Sequence, residues 1–287
     1  MLSSAPAVDG LERLLDAGEA LSGLPLRDID AGGTEADVGD TRVAQPLLFL
    51  CDWAWGQALL ERGVVPFGLA GHSLGELAAL AVAGAYSVEA GLELVVERSR
   101  LMAQCAADTP GAMAAIIGLD GPVVSAVIET VVGVWLANDN SHGQVVISGT
   151  QDGVTRASEH LSAAGARRIV PLKVAGGFHS PLMEPARAAF ELLLEGTVFR
   201  DAACPVYQNT EPTPATDGPT LKRRLAQQIT SPVRWTETMS ALADEGPITV
   251  LEAGPGAVLT GLARRVDQVN ALSVESSGLD IALQEVL

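Results

Sequence analysis

The stretch Gly71-His72-Ser73-Leu74-Gly75-Glu76 constrains this chain more than any other. An apolar run over residues 64–70, broken by Pro66, leads into it, and an alanine-rich segment over residues 77–83 follows. The pattern predicts a buried strand, a sharp turn and a helix, with Ser73 at the turn. Glycine on both sides of the serine allows a backbone bent too tightly for a β-carbon, which lifts the hydroxyl clear of the sheet. The helix behind it offers backbone N–H groups and a positive dipole end to a developing oxyanion. A G-x-S-x-G between strand and helix therefore reads as a serine nucleophile on an α/β fold with a parallel sheet.

Bulk properties agree with that class. In 287 residues, 48% hydrophobic with only 4% aromatics and 30 glycines, the core has to be built from Ala, Val and Leu. Such a length fits one large domain or a domain carrying an insertion. There is no run of about 18 uncharged apolar residues, so no membrane span is expected. The first residues lack the basic stretch and apolar core of a secretory signal. Cys51, Cys105 and Cys204 are scattered with no C-x-x-C pair, which predicts buried free thiols in a reducing compartment and a cytoplasmic protein. A net charge of −17 argues against nucleic-acid binding, which needs a basic footprint. It also opposes an acidic partner unless basic residues gather locally. Arg167-Arg168, Lys222-Arg223-Arg224 and Arg264-Arg265 are candidates for such a patch, and each reads equally well as a solvated face.

Periodicity predicts helices over residues 7–21, 43–62 and 87–107, with a polar loop over 32–42. The character changes at Pro110-Gly111. Strands are expected over 113–119, 144–148 and 168–174, with helices over 123–131 and 154–164 between them, the second stopped by Gly165. This β-α-β-α-β succession predicts a small ferredoxin-like α+β unit, residues 111–175, inserted in a hydrolase-like parallel-sheet domain made of residues 1–110 and 176–287. Beyond it, helices are expected over 181–194 and 221–228 and a strand over 248–252. Gly254-Pro255-Gly256 then turns into a last helix.

A serine nucleophile needs a base within hydrogen-bond reach. The chain has four histidines. His72 adjoins Ser73, where neighbouring side chains diverge, and reads as structural. His160 sits in a polar helix and His142 in a turn. His179 ends an extended run and precedes Ser180-Pro181, and a loop after a strand is where α/β sheets place site residues. His179 is the expected base. An α/β-hydrolase would add an acid between Ser and His in chain order. Asp120, Asp139 and Asp152 lie there, but all fall in the inserted unit, so a backbone carbonyl is the expected orienting group instead.

A family resemblance rests on several motifs in order. They are Gly71–Glu76 with its helix, Glu97-Arg98-Ser99-Arg100-Leu101-Met102, Gly111 to Gly118, Asn138 to Gly149, Gly177-Phe178-His179-Ser180-Pro181-Leu182-Met183, Ser231-Pro232-Val233-Arg234-Trp235 and Glu252-Ala253-Gly254-Pro255-Gly256. Together they resemble the malonyl-CoA:acyl-carrier-protein transacylases and the acyltransferase domains of polyketide synthases, over nearly the whole chain. The resemblance implies Ser73 as nucleophile, His179 as base, the backbone carbonyl of Gln228 as the group that orients it and the N–H of Leu74 as an oxyanion donor. It makes Arg98, 25 positions beyond Ser73, the anchor for the free carboxylate of a malonyl group, with Arg100 the neighbour most easily confused with it. Arginine suits that task because its planar fork pairs with a carboxylate bidentately.

Asn140 and Phe178 are the further substrate-binding residues so implied. Phe178 before His179 and Leu74 after Ser73 match members that take malonyl rather than methylmalonyl, while Gly176-Gly177 suggests a roomier pocket than usual. The implied reaction is ping-pong, from malonyl-CoA to the phosphopantetheine arm of an acyl carrier protein, without metal or bound cofactor, in fatty-acid or polyketide synthesis. The family opens on a strand ending G-Q-G-S-Q, whose glutamine is a second oxyanion donor. Nothing before the first predicted helix matches it, so residues 1–287 alone are expected to lack a sheet strand and to be poorly soluble or inactive. The rival readings are an editing acyl-hydrolase of the same fold and a catalytically impaired module that binds carrier protein.

Overall fold

The computed structural model describes residues 1–287 except Ala175 and Glu245. It opens with helices α1 (Leu11–Ser22), α2 (Leu26–Gly32), α3 (Glu35–Gly39) and α4 (Thr41–Glu61). The expected loop over 32–42 thus contains α3. Thr34 caps it by accepting from Asp37 N while the Asp37 carboxylate reaches back to Thr34 N, a reciprocal pair that stabilises a turn too short to show periodicity. Strand β1 (Leu69–Ala70), α5 (Leu74–Val82) and α6 (Val88–Asp108) follow. Only the end of the apolar run before Ser73 is strand. Pro66 has no N–H to give a ladder, and Val65 and Phe67 are 89% and 57% exposed.

The middle of the chain folds as β2 (Ala112–Ile117), α7 (Gly121–Ile128), β3 (Val134–Ser141), β4 (Gln144–Gly149), α8 (Gln151–Ala163) and β5 (Arg168–Pro171). The succession is therefore β-α-β-β-α-β, with β3 as the strand the sequence hid. Its register with β4 shifts between Leu136 and Asn138 and again between Asp139 and Ser141, and these irregularities fall among polar residues that break the alternation. Strands β5, β2, β4 and β3 lie side by side and antiparallel. The helices cover one face, burying Ile116, Val124, Val145, Ile147, Ala157 and Leu161.

The rest of the chain comprises α9 (Glu184–Gly196), β6 (Val206–Tyr207), α10 (Gly218–Gln227), β7 (Val233–Arg234), α11 (Trp235–Ala243), β8 (Ile248–Glu252), α12 (Val258–Ala263), β9 (Val269–Ser273), α13 (Val274–Ser277) and α14 (Leu279–Gln284). The expected last helix, α12, is thus followed by a strand and two short helices. Strand β7 joins the antiparallel sheet beside β3. Strands β1 and β6 pair in parallel, as do β8 and β9, and among the described residues no strand links the two pairs. Both pairs contribute to one apolar cluster: Ala70 of β1, Tyr207 of β6, Val250 of β8 and Ala271 of β9 pack there with Trp235 and Met239. Among the described residues no helix is long and apolar enough to cross a membrane.

Candidate active site

Ser73 sits between β1 and α5 with φ 50° and ψ −104°, a backbone conformation that L-residues rarely hold. The turn is tight: a β-carbon at Gly71 would lie 2.0 Å from the carbonyl of Gly75. Asn209 holds both sides of it, its Oδ1 accepting from Ser73 N at 2.7 Å and its Nδ2 donating to Gly71 O at 2.7 Å. The register pairing Ala70 with Tyr207 brings Asn209 here, because parallel strands leave their C-terminal ends side by side. Glu76, fully buried one turn into α5, accepts from Asn209 N at 2.7 Å and from Gln208 Nε2 at 3.0 Å. Burial pushes its carboxyl above the usual range, and these donors work against that shift. Sequence reasoning missed Gln208 and Asn209. The available signal was a pair of polar residues at the carboxyl end of a buried apolar strand.

His179, 5% exposed and itself at φ 57°, accepts from Ser73 Oγ at its Nε2, 2.8 Å away. Its Nδ1 lies 3.1 Å from both Gln228 O and Ser231 O. Two carbonyls can only accept, so the proton belongs on Nδ1 and Nε2 is left to take one. Burial, then the positive charge of Arg98 and the nearby His72, push the imidazole down to about 3, so it is neutral at physiological pH. No carboxylate touches the ring among the described residues. Of the acids considered, Asp139 accepts from Thr236 Oγ1 at 2.8 Å and Asp120 from Gly143 N at 2.7 Å. Of the other histidines, His142 and His160 are exposed on the small sheet's turn and on α8. His72 Nε2 meets Asn140 Oδ1 at 2.8 Å.

Arg98 reaches this pair from α6 and is 1% exposed. Its Nη1 donates to Gln45 Oε1 at 2.5 Å, and its Nη2 donates to Gln228 Oε1 at 2.9 Å and to Ser73 Oγ at 3.2 Å. Its Nε is buried without a partner among the described residues. Burial lowers the guanidinium to about 10, which still leaves it charged at neutral pH. Arg100, by contrast, turns outward and pairs with Glu97 at 2.8 Å. Gln228 ties the groups together: besides its carbonyl bond to His179, its Nε2 donates to Ser73 O at 2.9 Å. Gln45, on α4, is a further residue the sequence did not announce; it is a polar side chain only 6% exposed, beside the buried Pro46 and Leu47.

The remaining expected residues fall around this centre. Leu74 opens α5, and among the described residues no acceptor takes its N–H. Phe178 packs partly buried against the cluster of Met113, Ala137 and Val146. Asn140 is held by His72 rather than by Ser73. The two glycines before Phe178 do not open extra space: a β-carbon at Gly176 would meet Ala106 Cβ at 2.6 Å, and one at Gly177 would meet Leu182 at 2.9 Å. Two of the expected basic clusters are engaged internally. Arg223 and Arg224 both pair with Glu211, and Arg265 donates to Ser141 Oγ at 3.2 Å. A cleft of about 700 Å³ lies elsewhere, bounded by α8, β2 and β5, with Met113, Ser158 and Leu172 in its walls.

Residues 1–277 match the acyl transferase domain family. A malonyl CoA-acyl carrier protein transacylase of Synechocystis is 42% identical over 81% of this chain and 78% of that protein. The transacylase of the same name from Escherichia coli is 36% identical over 99% and 93%. Among solved structures, the Synechocystis malonyl-CoA:ACP transacylase has a TM-score of 0.86 at 38% identity, covering 96% of this chain and 92% of that one. A malonyl-transacylase in complex with its type II polyketide synthase acyl carrier protein reaches 0.90 at 34% identity, covering 97% and 92%. Matched along nearly its whole length by sequence and by fold, the chain belongs to the acyl transferase domain family.

Proposed function

We propose that this chain moves a malonyl group from coenzyme A to the phosphopantetheine thiol of an acyl carrier protein, in fatty-acid or polyketide synthesis, through an acyl-enzyme on Ser73. His179 Nε2 takes the hydroxyl proton as Oγ attacks the thioester carbonyl. The tetrahedral oxyanion draws on the Leu74 N–H and the N-terminal dipole of α5. The C–S bond then breaks, and the imidazolium returns the proton to the departing coenzyme A thiolate. The carrier thiol repeats these steps in reverse order of roles. The carbonyls of Gln228 and Ser231 hold the imidazole as an acid would elsewhere, and Arg98 grips the free carboxylate. Phe178 crowds an α-methyl branch, which favours malonyl over methylmalonyl, and Asn140 sets the wall beside His72.

The same reading takes residues 1–110 and 176–287 as a hydrolase-like catalytic domain. Residues 111–175 are a ferredoxin-like insertion, supported by the β-α-β-β-α-β order and by the antiparallel order β5-β2-β4-β3. A cytoplasmic setting suits both substrates. One observation carries the proposal: a serine 2.8 Å from a neutral, buried imidazole and 3.2 Å from a buried guanidinium that forms no salt bridge among the described residues. The test is malonyl transfer from malonyl-CoA to a holo acyl carrier protein, followed as coenzyme A release with and without the carrier. Release that depends on the carrier supports the transferase. Release at the same rate without it would mean that water is the acceptor and the chain is a hydrolase, and no release would mean a binding module.

A further inference from the structure

The donors of Arg98 are distributed in a way that a simple anchor does not require. A two-pronged contact with a carboxylate uses two neighbouring guanidinium nitrogens, either Nη1 with Nη2 or Nε with Nη2. Both forks include Nη2. In the structure both hydrogens of Nη2 are engaged, one on Gln228 Oε1 at 2.9 Å and the other on Ser73 Oγ at 3.2 Å. The hydrogens left over are on Nε, which has no partner among the described residues, and on Nη1, whose other hydrogen goes to Gln45. These two do not form a fork. A carboxylate can therefore be held bidentately only by displacing one acceptor from Nη2, and the contact with Ser73 is the longer of the two.

We infer that Arg98 is a brake on Ser73 that the carboxylate of the incoming acyl group releases. While the pocket is empty, the guanidinium donates to the nucleophile's oxygen, which draws on one of its two lone pairs and lowers its nucleophilicity. It also places a positive charge, offset only at a distance by Glu76, against the imidazole that has to become positive. Glu76 is the nearby carboxylate, and its oxygens are committed to Asn209 and Gln208 rather than to Arg98. The depressed basicity of His179, to which Arg98 contributes after burial, fits that description. A malonyl carboxylate takes the fork, frees Oγ and cancels the charge, whereas an acetyl group does neither. Selectivity for a carboxylated acyl group then arises in the acylation rate and not only in binding. The inference rests on the reading of Arg98 as the carboxylate anchor.

The experiment separates the two halves of malonyl. Acetylation of Ser73 by acetyl-CoA is followed by rapid quench in the wild-type protein, with formate titrated against chloride at constant ionic strength. Formate is expected to raise the acetylation rate constant about tenfold, with saturation, which corresponds to about 1.4 kcal/mol of barrier. It is expected to slow malonylation by competing for the same fork. Arg98→Gln should abolish the response to formate together with malonyl selectivity. A flat or falling acetylation rate under formate, with malonyl selectivity still lost in Arg98→Gln, would leave the anchor and overturn the brake. Malonyl selectivity retained in Arg98→Gln would overturn both.

Discussion

The two sheet systems of this molecule solve different problems. The antiparallel sheet of β2, β3, β4 and β5 is held by long ladders, six paired positions between β2 and β4 alone, and its core residues Ile116, Val145 and Ile147 are fully buried. The parallel pair that leads into Ser73 has two residues per strand. What holds that region is a polar network instead: Asn209 on both sides of the elbow, Glu76 behind it, and Gln228 joining Ser73, His179 and Arg98. Both strained residues of the site, Ser73 and His179, lie here. The contrast teaches that backbone regularity supplies stability in one region, while in the other buried polar groups supply geometry. Members of such a network orient one another, so small changes in it should be felt first in chemistry.

Five outcomes would sharpen or break that contrast. The largest effect is expected at Ser73→Ala, which should lower transfer by at least about 10³-fold while leaving the thermal midpoint close to wild type, because the tight turn accepts another small residue. Normal malonylation of that variant would remove the site altogether. Next, Arg98→Ala should cut malonyl transfer by roughly 2–5 kcal/mol, the cost of removing one partner of a desolvated charge pair. Acetyl transfer should not fall with it. Arg100→Ala should match wild type for both substrates, and a malonyl-selective loss there would move the anchor to the wrong arginine.

The third outcome compares the regions directly. Ile147→Ala should destabilise the protein by about 2–5 kcal/mol through the cavity it leaves, with normal turnover per folded molecule. Asn209→Ala should cost stability too, about 1–3 kcal/mol for each buried group it leaves unpaired, and should also lower the acylation rate. If both variants lost stability alone, the division between regions would fail. Acid should reveal the same division. His179 titrates near 3 in the fold against an ordinary 6.5, so below pH 6.5 the unfolded chain binds a proton that the folded chain refuses. This contribution to stability is whole above pH 6.5 and is lost as pH falls toward 3. The stability of wild type relative to His179→Gln is therefore expected to fall as pH is lowered across that window in acid unfolding. A pH-independent difference would contradict it.

The smallest effect concerns the substrate pocket. Malonyl-CoA should outcompete methylmalonyl-CoA by about 1–3 kcal/mol, the scale of one methyl group in a pocket. Phe178→Ser should narrow the gap, and a wild-type preference for methylmalonyl-CoA would sink the claim.

The antiparallel unit was legible in the sequence except for β3, whose polar residues and register shifts obscure the period of two. The long helices α4, α5 and α6 were legible because each carries a sustained apolar stripe or an elbow before it. Strands of two residues, such as β6 and β7, leave no periodic trace, and helices as short as α3 and α13 depend on caps rather than pattern. At the site, the serine, histidine and both arginines could be placed from motifs. Gln45, Gln208 and Asn209 could not, because their roles arise from tertiary neighbours: Gln45 meets Arg98 across 53 positions and Asn209 meets Ser73 across 136.

The central claim is that Ser73 carries the acyl group with His179 as its base. Intact-mass and peptide mass spectrometry after brief exposure to malonyl-CoA tests it most directly. One malonyl adduct is expected, on the peptide containing Ser73, absent from Ser73→Ala and discharged when holo acyl carrier protein is added. An unmodified protein, or an adduct that persists in Ser73→Ala, would contradict the account.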